Sequence, residues 1–450
     1  MRRIPSRHVS QRLPLTLTEE IFQVIDDPTL PVTQLAELRV KGNLDEDRLR
    51  DSIARAIAKH PMTRARLARA RCLLSPPQWE MNSPVSPDVL QVIDQDDDED
   101  MATIRSSFCS QPIDLTSAPA LRVLLVRRRS GDSLLVSMHH AIADGIGGFR
   151  FIESLARAYS GREDPTPSVE MSSARDIRSY LRRADESGRE PLKPSTSTPG
   201  QVALVAPEGA TSAPGYGIGY MTLTQDERKH LDPRRHGSGV TLNDLLISAL
   251  HMTICCWNAQ RNQPCDSILI LIPVNTRPIH HAFEMVANLS SVEGNLSTPP
   301  DRTSTKTIVS AVSTQTHAAS ARIRIPEFLL RHDMLWSPTL NLFTYYALYL
   351  SRWIHRSEGP PRTTLLTNIG RMERLITSGF GGEAGEITEI WPSAPALMPW
   401  GMTMTSGTYR GRVHLSLRYC RKFFSDHAAE SFLNLYKTTL FSMNSTWREC

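Results

Sequence analysis

No CxxC pair occurs in this chain. Its seven cysteines are odd in number, and two of them, Cys255 and Cys256, are adjacent, a poor arrangement for pairing with each other. No charged-then-apolar leader opens the sequence either, because MRRIPSRHVSQRL lacks an apolar run. These absences set a reduced, cytoplasmic environment as the expectation. They leave the Asn-Leu-Ser triplets at Asn288 and Asn295 with no reason to be glycosylated. HExxH and GxSxG are missing as well, which removes the zincin and the serine-hydrolase readings. Net charge is only +4 over 450 residues. The basic clusters near Arg127 and Arg234 are short and sit beside turns, so electrostatics gives no case for nucleic acid. DQDDDED around Asp97 reads as a solvated loop.

What is present is the composition of a soluble globular enzyme, 40% hydrophobic and 22% charged. A chain of this length exceeds one ordinary core, so two lobes are expected. TQLAELRVKGNL reads as a strand turning at Gly42, and DEDRLRDSIARAIAKHP as a helix with Leu49, Ile53, Ala56 and Ile57 on one stripe. LRVLLV and SLLVSMHH predict a hairpin through Gly131, and FRFIESLARAYSG a helix ending at Gly161. Residues 162–219 are rich in Pro, Ser and Thr and read as a crossing linker between an N-terminal lobe, 1–161, and a C-terminal lobe, 220–450. In the latter, TLNDLLISALHMTICCWNAQ predicts a helix and SILILIPVNTRP a buried strand ending at Asn275. Residues 334–351 carry no formal charge. Pro338 and the helical spacing of Phe343, Tyr346, Leu350 and Ile354 predict an amphipathic helix there rather than a membrane span.

The stretch SMHHAIADGIGGF, from Ser137 to Phe149, concentrates the chemistry. His140 shares a strand face with Leu134, Val136 and Met138, and a glycine-rich turn from Asp144 to Gly148 follows it. Neighbouring side chains on a strand point to opposite faces, so His139 and His140 do not both ligate one metal, and no metal is expected. Gly145 and Gly147 lack a third glycine at position 150, so a dinucleotide loop is weakly supported. A strand end feeding such a turn is where a scaffold presents a catalytic side chain.

HHAIADG matches an HHxxxDG signature, and by it the chain resembles the CoA-dependent acyltransferase superfamily. That superfamily takes in chloramphenicol acetyltransferase, peptide-synthetase condensation domains, polyketide-associated acyltransferases and the wax ester synthase/diacylglycerol acyltransferases. GNLDEDRLRDSIARAIAKHPMTRARL, TLNDLLISAL, IPVNTRP, VANLSS, TNIGRM and VHLSLRYCRKFFS are similar to further blocks of the family in the same order. The resemblance implies an α/β fold of two chloramphenicol-acetyltransferase-like lobes, each a mixed sheet with helices, with a channel between them. It implies that His140 is a general base acting on an alcohol acceptor as that group attacks a thioester. It further implies that Asp144 points away from the site and pairs with an arginine, for which Arg277 is the candidate. His139 then supports the loop, and Gly145 is needed for its backbone conformation. Asn368 and Trp400 are candidates for oxyanion or substrate binding, although only Trp400-Gly401 survives of the DFGWG block of plant members. Acyl-CoA or an acyl carrier thioester is implied as co-substrate, with no bound cofactor. From its helical stripe, the Phe343 to Trp353 stretch is expected to line an apolar acceptor channel or to make peripheral membrane contact. Two rival expectations stand beside this one: condensation-type amide formation between carrier-bound partners, and a non-catalytic module that binds lipids or carriers.

Overall fold

The apolar runs of the first third pair with one another. The computed structural model describes residues 11–69, 77–86, 88–95, 98–165, 175, 201–277, 285–321 and 362–443. It opens with β1 (Arg12–Pro14), α1 (Leu17–Ile25), β2 (Thr33–Val40) and α2 (Glu46–Lys59). The Asp45 side chain caps α2 by accepting the Arg48 N–H, and Leu49, Ile53, Ala56 and Ile57 are buried, as their spacing predicts. β3 (Arg66–Leu67) and β4 (Gln78–Glu80) form a small sheet with β1. Then come β5 (Leu90–Asp94), α3 (Asp98–Ser110), β6 (Leu121–Arg127), β7 (Ser133–His139) and α4 (Gly145–Ser160). β6 and β7 are the expected hairpin, in register from Leu121 opposite Met138 to Val126 opposite Ser133. Every residue of β7 is buried, which is why it reads as an apolar run.

The second lobe is built from β8 (Tyr216–Leu223), α5 (Gln225–His230), α6 (Leu242–Ala259), β9 (Ile268–Asn275), β10 (Ser290–Ser297) and α7 (Thr305–Ala321). β11 (Thr364–Arg371), β12 (Ile387–Ser393), β13 (Met402–Tyr409), β14 (Arg412–Cys420) and α8 (Asp426–Ser442) complete the chain's order. Its six-stranded sheet runs β10-β9-β11-β13-β14-β8, and the five-stranded sheet of the first lobe runs β12-β2-β7-β6-β5. Each lobe has a core of its own, around Leu38, Val123 and Phe151 in one and around Ile270, Leu415 and Phe432 in the other.

Two boundaries differ from the sequence expectation. β12 comes from the C-terminal part of the chain but pairs antiparallel with β2 of the first lobe, Ile390 opposite Leu38. Burial of Ile387, Ile390 and Trp391 on that edge accounts for the crossing. Within 162–219, Val202, Val205 and Ala206 are buried, and Ala206 accepts from Trp257 Nε1 at 2.9 Å and donates to Asn258 Oδ1 at 2.9 Å. That piece therefore packs on α6 as part of the second lobe, whose first strand starts at Tyr216. Residues 176–200 and the apolar stretch 334–351 lie outside the described residues. Among the described residues, no helix is long and apolar enough to cross a membrane. Against the expectation of reduced thiols, Cys256 is disulfide-bonded. Asn288 and Asn295 are both buried.

Candidate active site

β7 delivers the histidine pair to the junction of the lobes. His139, the last strand residue, is fully buried. Its Nδ1 accepts the Ala141 N–H at 3.0 Å, which puts the ring proton on Nε2, 3.4 Å from Asp26 Oδ2. His140 turns the other way, half-buried, into a cavity of about 1100 Å³ lined from both lobes. Its backbone N–H donates to the Val32 carbonyl at 2.8 Å. Asn288 Nδ2, from the second lobe, donates to the His140 carbonyl at 2.6 Å and to the Ala141 carbonyl at 2.9 Å. Phe22 of α1 stacks on the imidazole with centroids 4.1 Å apart and planes at 27°. Burial lowers the His140 pKa below the ordinary histidine range. Asp144, the residue's own carbonyl and Asn288 act in the opposite direction without overcoming it.

Asp144 is the N-cap of α4 and does not serve the imidazole. Its Oδ1 accepts from Gly147 N at 2.8 Å and from Arg277 Nη2 at 2.8 Å. Its Oδ2 accepts from Arg277 Nη1 at 2.7 Å, Leu289 N at 2.8 Å and Ser290 Oγ at 2.8 Å. One helix-cap carboxylate of the first lobe thus gathers a bidentate guanidinium, an amide and a hydroxyl from the second. Burial works to raise this carboxyl, but Arg277 and the two amides hold it below the ordinary carboxylate range.

The glycines act through space, not conformation. α4 begins at Gly145 with ordinary helical backbone, and none of Gly145, Gly147 and Gly148 has a positive φ. The expectation that Gly145 supplies a special conformation is therefore corrected. A Cβ there would lie 2.8 Å from the flexible end of Ile369, whereas one at Gly147 would lie 2.8 Å from the Ala287 carbonyl oxygen and 3.0 Å from its nitrogen. That carbonyl already accepts from Asp144 N and Arg277 Nη2 and has no room to retreat. Gly147→Ala is expected to cost roughly 1–3 kcal/mol, as overpacking does, and Gly145→Ala less. Urea denaturation of both variants checks this, and equal midpoints would contradict it.

Asn368 and Trp400 both line the cavity. Asn368 Nδ2 donates to Asn243 Oδ1 at 3.0 Å and its Oδ1 accepts the Gly370 N–H at 2.9 Å, so its amide ties the turn to α6. Thr241 caps α6, in a reciprocal box with Asp244. Trp400 is 7% exposed, and its Nε1 has no hydrogen-bond partner among the described residues. Sequence reasoning missed Phe22, Asn288 and Ser290, and also Gln34, whose Nε2 donates at 3.1 Å to the carbonyls of both Ala143 and Asp144. Only VANLSS carried a signal, as a family block containing Asn288.

Two sheeted lobes, a histidine loop at the end of a central strand and an acid–arginine clasp between the lobes make up the site, and the two-lobed fold is one shared with condensation domains. The condensation-domain family model matches residues 22–186 of the chain. The uncharacterised protein Rv2305 of Mycobacterium tuberculosis is 31% identical over 454 residues, covering 96% of this chain and 100% of that one. The first condensation domain of the CDA synthetase superposes with a TM-score of 0.69 at 13% identity, over 97% of each chain. Trichothecene 15-O-acetyltransferase from Fusarium sporotrichioides does so with a TM-score of 0.65 at 12% identity, over 96% of this chain and 95% of that one. At such identities the two structures establish the shared fold.

Proposed function

We propose that this protein is an acyltransferase in which His140, as general base, moves an acyl group from a CoA or carrier-protein thioester to an alcohol. The observation that carries the reading is the placement of His140, held at the end of β7 against a large inter-lobe cavity with its imidazole lowered in pKa. Its Nδ1 is buried, which leaves Nε2 as the nitrogen that meets substrate. A neutral imidazole takes the acceptor's hydroxyl proton as the oxygen attacks the thioester carbonyl carbon. The tetrahedral oxyanion then collapses, the C–S bond breaks and the imidazolium returns the proton to the departing thiolate, giving ester and thiol with no covalent enzyme intermediate. We assign Trp400 to the cavity wall and Asn368 to holding the turn at Gly370.

The cavity walls favour an apolar group. Ile21, Val136, Met138, Phe149, Ile152 and Leu271 line it. Of the four large hydrophobic residues exposed at the described surface, Ile25 (37%), Val292 (46%) and Met398 (39%) also line it. An apolar rim leading into an apolar cavity suits a lipid-like acyl chain or acceptor. The family match also supports a second reading, in which the acceptor is an amine and the product an amide.

The test is thiol release from acyl-CoAs of rising chain length, and from the same acyl groups on a phosphopantetheinyl carrier, with a long-chain alcohol, a short alcohol or an amine. Alcohol-dependent release is expected to be strongest with long chains. Release with the amine alone would replace the ester reading by the amide one. Because burial lowers His140, the base form persists below pH 6.5, the ordinary histidine value. The acid limb of kcat/KM is therefore expected below that value, and a limb at or above it would contradict the assignment of the base.

A further inference from the structure

α1 has no assigned part in the reaction, yet it is the element that covers His140. Thr18, Ile21, Phe22 and Ile25 recur at helical spacing and all line the cavity. The helix is fixed at both ends. Glu19, 1% exposed, accepts from Trp79 Nε1 at 2.9 Å and from Thr16 N at 2.7 Å, and pairs with Arg175. Asp26, its C-cap, accepts the Val32 N–H at 2.8 Å and lies beside His139. The same short segment that reaches the first motif histidine through its cap thus lays an aromatic ring on the second.

From this geometry we infer that Phe22 is a positioning residue for acyl transfer: it fixes the plane of the His140 ring and keeps water off the base. The inference rests on the reading of His140 as general base. The nitrogen lone pair lies in the ring plane, so by fixing that plane the Phe22 stack fixes the direction from which a hydroxyl must approach for proton transfer. Water admitted to the space that Phe22 fills would reach the same in-plane lone pair from the side and compete with the alcohol. His140 would take a proton from water, the hydroxide would add to the thioester carbonyl and the C–S bond would break. The thiolate would then recover the proton, leaving a carboxylic acid and a thiol. Filling that space therefore favours ester over hydrolysis. The titratable groups that act on the ring are Asp144, from the cap of α4, and His139, its chain neighbour, with Arg277 neutralising Asp144.

Phe22→Ala and Phe22→Leu test this. In Phe22→Ala, acceptor-dependent transfer should fall about tenfold to a hundredfold, as loss of near-attack geometry does, while acceptor-independent release of free acid rises. Phe22→Leu retains bulk without a flat face. It should keep hydrolysis low and lose transfer by a smaller factor. A second readout needs no turnover. In protein labelled at histidine, the His140 ring resonances, assigned by their loss in His140→Ala, should titrate below the ordinary range in the wild type. They should move up toward it in Phe22→Ala as water relieves the burial. An unchanged ester-to-acid ratio together with an unchanged His140 titration in a folded Phe22→Ala would overturn the inference. Wild-type protein that is silent with every donor would instead sink the acyltransfer reading, and the titration would still decide whether Phe22 shields the ring.

Discussion

His140→Ala is expected to lose acyl transfer by about 10²- to 10⁴-fold, the usual worth of a positioned general base, with the loss in kcat rather than in KM. The separation follows from what the side chain touches. The backbone of His140 carries the contacts that hold the loop, to Val32 and to Asn288, and alanine preserves both. The ring itself contributes the stack on Phe22, worth about 0.5–1.5 kcal/mol, so the fold survives with a modest loss of stability. Among the described residues that line the cavity, His140 is the only histidine. Asp144 lines the cavity too, but both its oxygens are committed to donors. Steady-state kinetics of the variant beside wild type, with a melting curve to verify folding, reads both quantities. Full activity in a folded His140→Ala would move the base out of the motif and leave binding as the loop's business.

The hairpin that carries His140 was legible because its signal is local. Apolar runs, a glycine turn and a histidine at a strand end are written within about two dozen consecutive residues, and tertiary context did not override them. β12 was not legible, because its partner lies far upstream. Arg39 meets Glu389 across 350 residues of chain, and nothing in ITEIWPS names the edge it joins. The glycines illustrate another limit. A DGIGG string reads equally well as a turn or as the first turn of a helix lying against a neighbour, and only the position of Ala287 decides between them. Phe22 carried no mark at all: as one apolar residue in an amphipathic helix it reads as core, and its contact with His140 depends on how α1 seats. The pairing partner of Asp144 was legible only through family resemblance, since composition and spacing do not single out Arg277 among the arginines.

Arg277→Met is the change expected to cost most in stability, about 3–5 kcal/mol at neutral pH, because removing one partner strands a buried charge. Asp144 would keep Gly147 N, Leu289 N and Ser290 Oγ but lose the guanidinium that opposes its desolvation. The cost should depend on pH, with a definite sign. In the wild type the carboxyl is held below its unfolded pKa. Its contribution to stability is therefore present above the unfolded value and lost as pH falls through the folded one. In the variant, burial is left as the strongest influence and raises the carboxyl above its unfolded value. Stability is then lost as pH climbs through that window, as the unfolded state ionises and the folded state resists. The gap between wild type and Arg277→Met should accordingly be wider at about pH 7.5 than at about pH 5. Removing the acid as well, in Asp144→Ala/Arg277→Met, should cost less than the sum of the two single changes, because no charge is then left stranded. Urea denaturation of the four proteins at both pH values measures every term. A gap independent of pH, or strict additivity, would mean that the guanidinium is not what keeps Asp144 ionised. Because Asp144, Leu289 and Ser290 belong to opposite lobes, the same variants should also lose transfer activity while retaining His140 itself. That outcome separates a clasp that sets the loop from a residue that touches substrate.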